Sequence, residues 1–149
     1  MTPRPLADVL PHAGEMILID RIVSYDENSI VCVRTLELGA PFVDSQGHLP
    51  AWAGLELMAQ TVAAWSGSHA RDAGQPVRLG FLLGSRLYSC NVNTFASGTE
   101  LRIEAVRTFH DEDGMGVFAC RIDAGDAHAE ARLTVFSPTD PSAFLASLA

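Results

Sequence analysis

The stretch Pro41-Phe42-Val43-Asp44-Ser45-Gln46-Gly47-His48-Leu49-Pro50 runs directly into Ala51-Trp52-Ala53-Gly54-Leu55-Glu56-Leu57-Met58-Ala59-Gln60. Its first half is rich in loop residues and closes on a Gly-His-x-Pro turn. Its second half opens a segment of Ala, Leu and Met with no internal proline, which predicts one helix from about Trp52 to His69. Apolar side chains nearly circle that helix at Trp52, Leu55, Leu57, Met58, Val62 and Trp65. A helix that is apolar all round is a buried one. The exceptions lie together: Glu56 and Gln60 stand at i and i+4, and Ala63, Ala64 and Gly67 continue their side as small residues. A neighbouring segment is therefore expected to pack closely against that side.

The flanking sequence reads as a sheet to enclose this helix. Leu6 to Leu10 predicts a short helical turn ended by Pro11, and the apolar run Met16–Val23 predicts a strand. Tyr25 to Ser29 supplies turn residues, and Ile30 to about Leu38 returns to complete a hairpin. After Gly74 and Pro76 end the helix, four more strands are expected. They run from Val77 to about Tyr88, Thr99 to Phe109, Met115 to Ile122 and His128 to Phe136. Leu101, Ile103 and Ala105 alternate with Glu100, Arg102 and Glu104, so one face is apolar and the other wet. Asp140-Pro141 predicts the cap of a short C-terminal helix. The expected class is α+β: about six antiparallel strands wrapped around one long buried helix, in a single domain spanning 1–149. Such a sheet leaves long edges, which pairing between subunits would cover.

Composition narrows the function. A net charge of −8 argues against nucleic acid as a partner, because little of the surface could neutralise phosphates. No apolar run is long enough to span a membrane, and no apolar stretch of a secretory signal follows Met1-Thr2-Pro3-Arg4-Pro5. The expected compartment is the cytoplasm. Cys32, Cys90 and Cys120 are far apart and form no Cys-x-x-Cys, so they are expected as reduced, small core residues. His69, His110 and His128 match no zinc spacing, and no metal is expected.

Two residue types carry chemistry in the opening stretch. A histidine beside a turn titrates near neutrality, and a lone carboxyl on an apolar helix can act as an acid. His48 and Glu56 are thus the candidate base and acid. His12 is expected to be a structural hydrogen-bonding residue near the first strand.

Several motifs in this order resemble the hotdog-fold 3-hydroxyacyl-(acyl-carrier-protein) dehydratases. They are Leu10-Pro11-His12 before Met16-Ile17-Leu18-Ile19-Asp20-Arg21, Pro41-Phe42 before Gly47-His48-Leu49-Pro50, and Glu56-Leu57-Met58-Ala59-Gln60. More narrowly, His48-Leu49-Pro50-Ala51-Trp52, Gly54, Glu56 and Met58-Ala59-Gln60 are similar to the dehydratase-like proteins of aryl-polyene and xanthomonadin pigment clusters.

The resemblance implies a hotdog fold and dehydration of 3-hydroxyacyl thioesters in fatty-acid or polyene synthesis. It implies that His48 and Glu56 are catalytic and meet across a dimer interface, and that the N–H of Gly54 holds the thioester oxygen. Gln60 and Trp52 would line the channel or support the acid. No resident cofactor is implied, since phosphopantetheine arrives on the acyl carrier protein; Arg78 and Arg86 are candidates to meet that acidic partner. The chain departs from the usual dehydratases in the short segment between His48 and Glu56, which lacks their Met-Pro-Gly. That departure motivates an alternative: a non-catalytic or half-catalytic subunit of a heterodimer with another hotdog dehydratase. A hotdog acyl thioesterase, with Glu56 activating water, is the further alternative.

Overall fold

Period-two alternation builds the sheet. In the computed structural model, which describes residues 1–12, 14–78, 80–137 and 146–147 and not the side chains of Glu15 and Phe81, six strands form one antiparallel sheet. Strand β1 is Arg21–Tyr25 and β2 is Ser29–Thr35; a two-residue strand β3, Leu49–Pro50, precedes the helix α1, Gly54–Asp72. Then follow β4 (Phe81–Cys90), the short β5 (Thr94–Phe95), β6 (Glu100–His110), β7 (Met115–Ala124) and β8 (Ala127–Phe136). The large sheet runs β1-β2-β6-β7-β8-β4, and β3 pairs separately with β5. The reading of Asp140-Pro141 as a helix cap lies outside the described residues.

The expected alternation is present in β6, where Leu101, Ile103 and Ala105 are fully buried between exposed Glu100, Arg102 and Glu104. In β8, Ala129, Ala131 and Leu133 face inward in the same way. The dry face lies on α1, which crosses β2, β6, β7 and β8. No residue of α1 from Gly54 to Ala70 is exposed, so the helix is enclosed by the sheet on one side and by the N-terminal segment on the other. The thiols of Cys32 and Cys120 belong to this core, and burial pushes both up to about 12.

Several boundaries differ from the sequence reading. The apolar run at Met16 does not begin a strand: Gly14–Met16 is a 3-10 turn, and pairing with β2 starts at Arg21. Leu18 and Ile19 are apolar because they are buried in the core cluster that α1 shares, not because they extend the ladder. The helix starts later than Trp52, behind a 3-10 turn at Ala51–Ala53, and continues to Asp72. It stops where Gly74 takes a left-handed φ of +70° and Gln75 N–H donates to the Ala70 carbonyl. Strand β4 bends out of register between Leu82 and Gly84 and again between Arg86 and Ser89.

The N-terminal segment is strapped along the second half of α1. Arg71 Nε donates to the Asp8 carbonyl at 2.9 Å, and Arg4 pairs with the Asp72 carboxylate at 2.5 Å. At Gly67 the approach is so close that a Cβ would lie 1.8 Å from the Val9 carbonyl oxygen. This is the close neighbour that the small-residue side of the helix predicts. Among the described residues, no helix is long and apolar enough to cross a membrane.

Candidate active site

The site forms where the first turns of α1 meet the N-terminal segment and the start of β4. A 3-10 turn leads the chain from Pro50 into α1, and its first carbonyl, Ala51, is held twice. Gly54 N–H donates to it, and so does the Tyr88 hydroxyl from β4. A side chain at position 54 would collide with that hydroxyl, its Cβ lying 2.6 Å away. Burial pushes the Tyr88 phenol up to about 12, so it serves as a neutral donor. The sequence read Gly54 as the group that presents a free N–H; in the folded chain this N–H is already directed at Ala51 and Trp52 carbonyls.

One turn along, Glu56 enters a cleft of about 370 Å³. Ala59, Val62 and Ala63 of the same helix form its floor, and Pro11, His12, Arg78, Leu82 and Val135 contribute to its walls. The Glu56 side chain is 45% exposed, on the rim of a largely apolar cleft and not sealed in the core. Gln60 is the anchor beneath it. With 1% of its surface exposed, Gln60 accepts from Leu18 N–H at 2.8 Å and donates to the Met16 carbonyl at 2.7 Å. The same amide donates to Glu56 Oε1 at 3.3 Å. Gln60 thus ties the approach to β1 onto the helix and fixes one oxygen of the acid. Gln60→Leu is expected to strand the Leu18 N–H and to lower stability by roughly 2–3 kcal/mol, read as a shift of the urea midpoint.

His48 lies elsewhere. The Asp44 carboxylate accepts the backbone N–H of His48 and of Gln46, each at 2.9 Å, and Asp44 N–H returns a bond to the His48 carbonyl. These backbone donors, His48 first, hold the Asp44 carboxyl below the usual carboxylate range. Gly47 takes φ +82° inside this closed turn, which fixes the point from which the half-buried His48 side chain departs. Among the described residues, His48 does not line the cleft of Glu56, and no hydrogen bond or ion pair joins the two within one chain. Trp52 is not a core residue: it is 62% exposed and stacks edge-to-face on exposed Phe42, with ring centroids 5.6 Å apart. Of the two arginines considered for a carrier protein, Arg78 lines the cleft and Arg86 does not.

The sequence reading missed His12 as a site residue. Its Nε2 lies 3.9 Å from Glu56 Oε1, on the wall of the same cleft. The Leu-Pro-His motif was the available signal, but only the fold brings position 12 beside position 56. Among the described residues, no three His, Cys, Asp or Glu side chains gather as a metal cage.

An acid on an apolar cleft, backed by a buried amide, is placed to hold and release a proton. Residues 4–146 match the ApeP-like family, described as ApeP dehydratase. The chain belongs to that family. A chain of the dehydratase heterocomplex ApeI:P from Xenorhabdus doucetiae superposes with a TM-score of 0.89 at 30% identity, over 97% of each chain. This likeness bears out the hotdog fold expected from the dehydratase-like motifs. The 3-hydroxyacyl-(acyl-carrier-protein) dehydratase FabZ of Streptococcus agalactiae is 28% identical over 80 residues, which are 50% of this chain and 56% of FabZ. The chain thus spans about half the length of the curated relatives it matches. A hypothetical thioesterase with coenzyme A from Streptococcus pneumoniae shares the fold alone, at 16% identity and a TM-score of 0.58 over 78% of this chain and 83% of that one.

Proposed function

We propose that the chain dehydrates 3-hydroxyacyl thioesters delivered by an acyl carrier protein. One observation carries this reading: Glu56, in a chain of the ApeP-like family, sets its carboxyl on an apolar cleft with Gln60 holding one of its oxygens. The reaction needs a base to take the C2 proton, an acid to protonate the departing 3-hydroxyl, and a donor for the thioester oxygen. Glu56 is the acid. His48 of a second subunit is the base, because within its own chain it does not line the cleft. As C2–H breaks, the electron pair forms the C2–C3 double bond, the C3–O bond breaks, and the hydroxyl leaves with the Glu56 proton as water. Passing the captured proton from His48 back to Glu56 resets the pair. The Gly54 N–H takes the thioester oxygen in exchange for its bonds to the Ala51 and Trp52 carbonyls.

The edge strand β4 is the surface proposed for that second subunit. Leu82, Leu83 and Leu87 are at least half exposed along it, and among the described residues no other strand pairs with its outer edge. No resident cofactor is invoked, since the phosphopantetheine arm brings the substrate. Arg78 on the cleft wall is proposed to meet the acidic carrier protein. The cytoplasm is the proposed compartment.

The separation of His48 from Glu56 also favours a second reading. The partner would be a different hotdog dehydratase, with each chain contributing part of a shared site. The Xenorhabdus doucetiae protein is by name a dehydratase heterocomplex, which supports considering this assembly. His48→Ala separates the two. In the homodimer, turnover of a 3-hydroxyacyl carrier protein is expected to fall roughly 10²- to 10⁴-fold. Full activity of that variant in the isolated chain would contradict the role of His48. Activity that appears only with a second hotdog chain, and survives His48→Ala, would select the heterodimer.

A further inference from the structure

Two side-chain nitrogens face a single oxygen of Glu56. Gln60 Nε2 stands 3.3 Å from Oε1, and His12 Nε2 stands 3.9 Å from the same atom. His12 arrives from outside the helix, on the segment whose Val9 carbonyl rests on Gly67. Val9 and Leu10 just before it are buried, so the ring is delivered by a well-packed stem.

The other ring nitrogen decides which form the imidazole takes. His12 Nδ1 is buried and has no hydrogen-bond partner among the described residues. A proton there would make it a buried donor with nothing to receive it. A bare lone pair at the same place is the less costly orphan. In the neutral ring the lone pair is therefore favoured on Nδ1 and the proton on Nε2, the nitrogen that faces Glu56.

We propose that His12 is a positioning residue for the Glu56 acid, an inference that rests on the dehydratase reading above. With Gln60 donating to Oε1 and His12 Nε2 facing the same atom from 3.9 Å, a gap that closes to a hydrogen bond when the site tightens, that oxygen takes carbonyl character. The acidic proton of Glu56 is thereby assigned to Oε2, the oxygen that neither donor holds. Such contacts are commonly long before substrate binds and tighten when it does. His12 thus selects which oxygen delivers the proton to the leaving hydroxyl, and touches no reacting atom itself.

The test uses the full chain, with its partner subunit if activity requires one. His12→Ala is expected to lower kcat roughly ten- to hundredfold. KM is expected to stay within about twofold, because a contact made for proton delivery acts in the transition state. His12→Gln, whose amide N–H reaches toward Oε1, is expected to recover most of the lost kcat. A merely structural histidine would instead lower the urea midpoint and gain nothing specific from glutamine. Nitrogen-15 NMR of the His12 ring adds a readout without turnover. The Nε2–H tautomer is expected in the wild type, with a displaced Nε2 signal in Glu56→Ala. An unchanged kcat in His12→Ala, no rescue by a folded His12→Gln, or a proton found on Nδ1 would each overturn the proposal. Failure of the wild type to dehydrate would sink the dehydratase reading, while the ring signals would still decide whether His12 is coupled to Glu56.

Discussion

Glu56→Gln is expected to lower turnover of a 3-hydroxyacyl carrier protein roughly 10²- to 10⁴-fold and to leave the urea midpoint where it is. The two halves of this expectation have separate causes. Activity falls because an amide cannot give up a proton to the leaving hydroxyl. Stability holds because the side chain is 45% exposed and glutamine has the same shape. Its amide oxygen can still accept from Gln60, which keeps the link from the helix to the Met16 and Leu18 backbone intact. A parallel drop in stability would mean that Glu56 is a structural residue, and undiminished turnover would remove it from the chemistry.

Gly67→Ala is expected to have the largest effect on folding, roughly 3 kcal/mol measured by urea denaturation. The new Cβ would sit 1.8 Å from the Val9 carbonyl oxygen, 2.7 Å from its carbon and 3.0 Å from its Cα. All three contacts are backbone, so no rotamer change relieves them. The N-terminal segment has to lift off, and it carries Leu6, Val9 and Leu10 out of the core with it. The same segment continues into Pro11 and His12 on the wall of the cleft. Residual folded protein is therefore expected to show reduced turnover as well. A variant as stable as the wild type would show that the segment is not held against the helix.

Much of the fold could be read in advance because its signals are local. Strict alternation along β6 and β8 announces one wet and one dry face, and a proline-free apolar segment announces the helix. The Glu56–Gln60 spacing and the run of small residues to Gly67 foretold the side of the helix that bears the acid and the close neighbour. What could not be read depends on distant partners. Pro50 argues against a strand, yet Leu49–Pro50 pairs with Thr94–Phe95, because only two residues are involved and proline sits where the ladder ends. Met16 looked like the start of a strand, whereas the run it opens is apolar to cover α1. Trp52 looked enclosed because helical periodicity was extended one turn too early; the 3-10 turn swings it outward onto Phe42. Tyr88 and His12 meet the helix only after the sheet has curled around it, so no spacing in the sequence marks them.

The central claim is a water-forming elimination that depends on Glu56. Its most direct test is the mass of the acyl-phosphopantetheine after a 3-hydroxyacyl carrier protein is incubated with the chain, alone and with a hotdog partner. The expected result is an acyl group lighter by one water, still attached to the carrier, and absent when Glu56 is glutamine. Release of free 3-hydroxy acid and bare carrier thiol would contradict the claim and mark a thioesterase. Dehydration that proceeds equally with Glu56→Gln would contradict it too, by placing the acid on another residue.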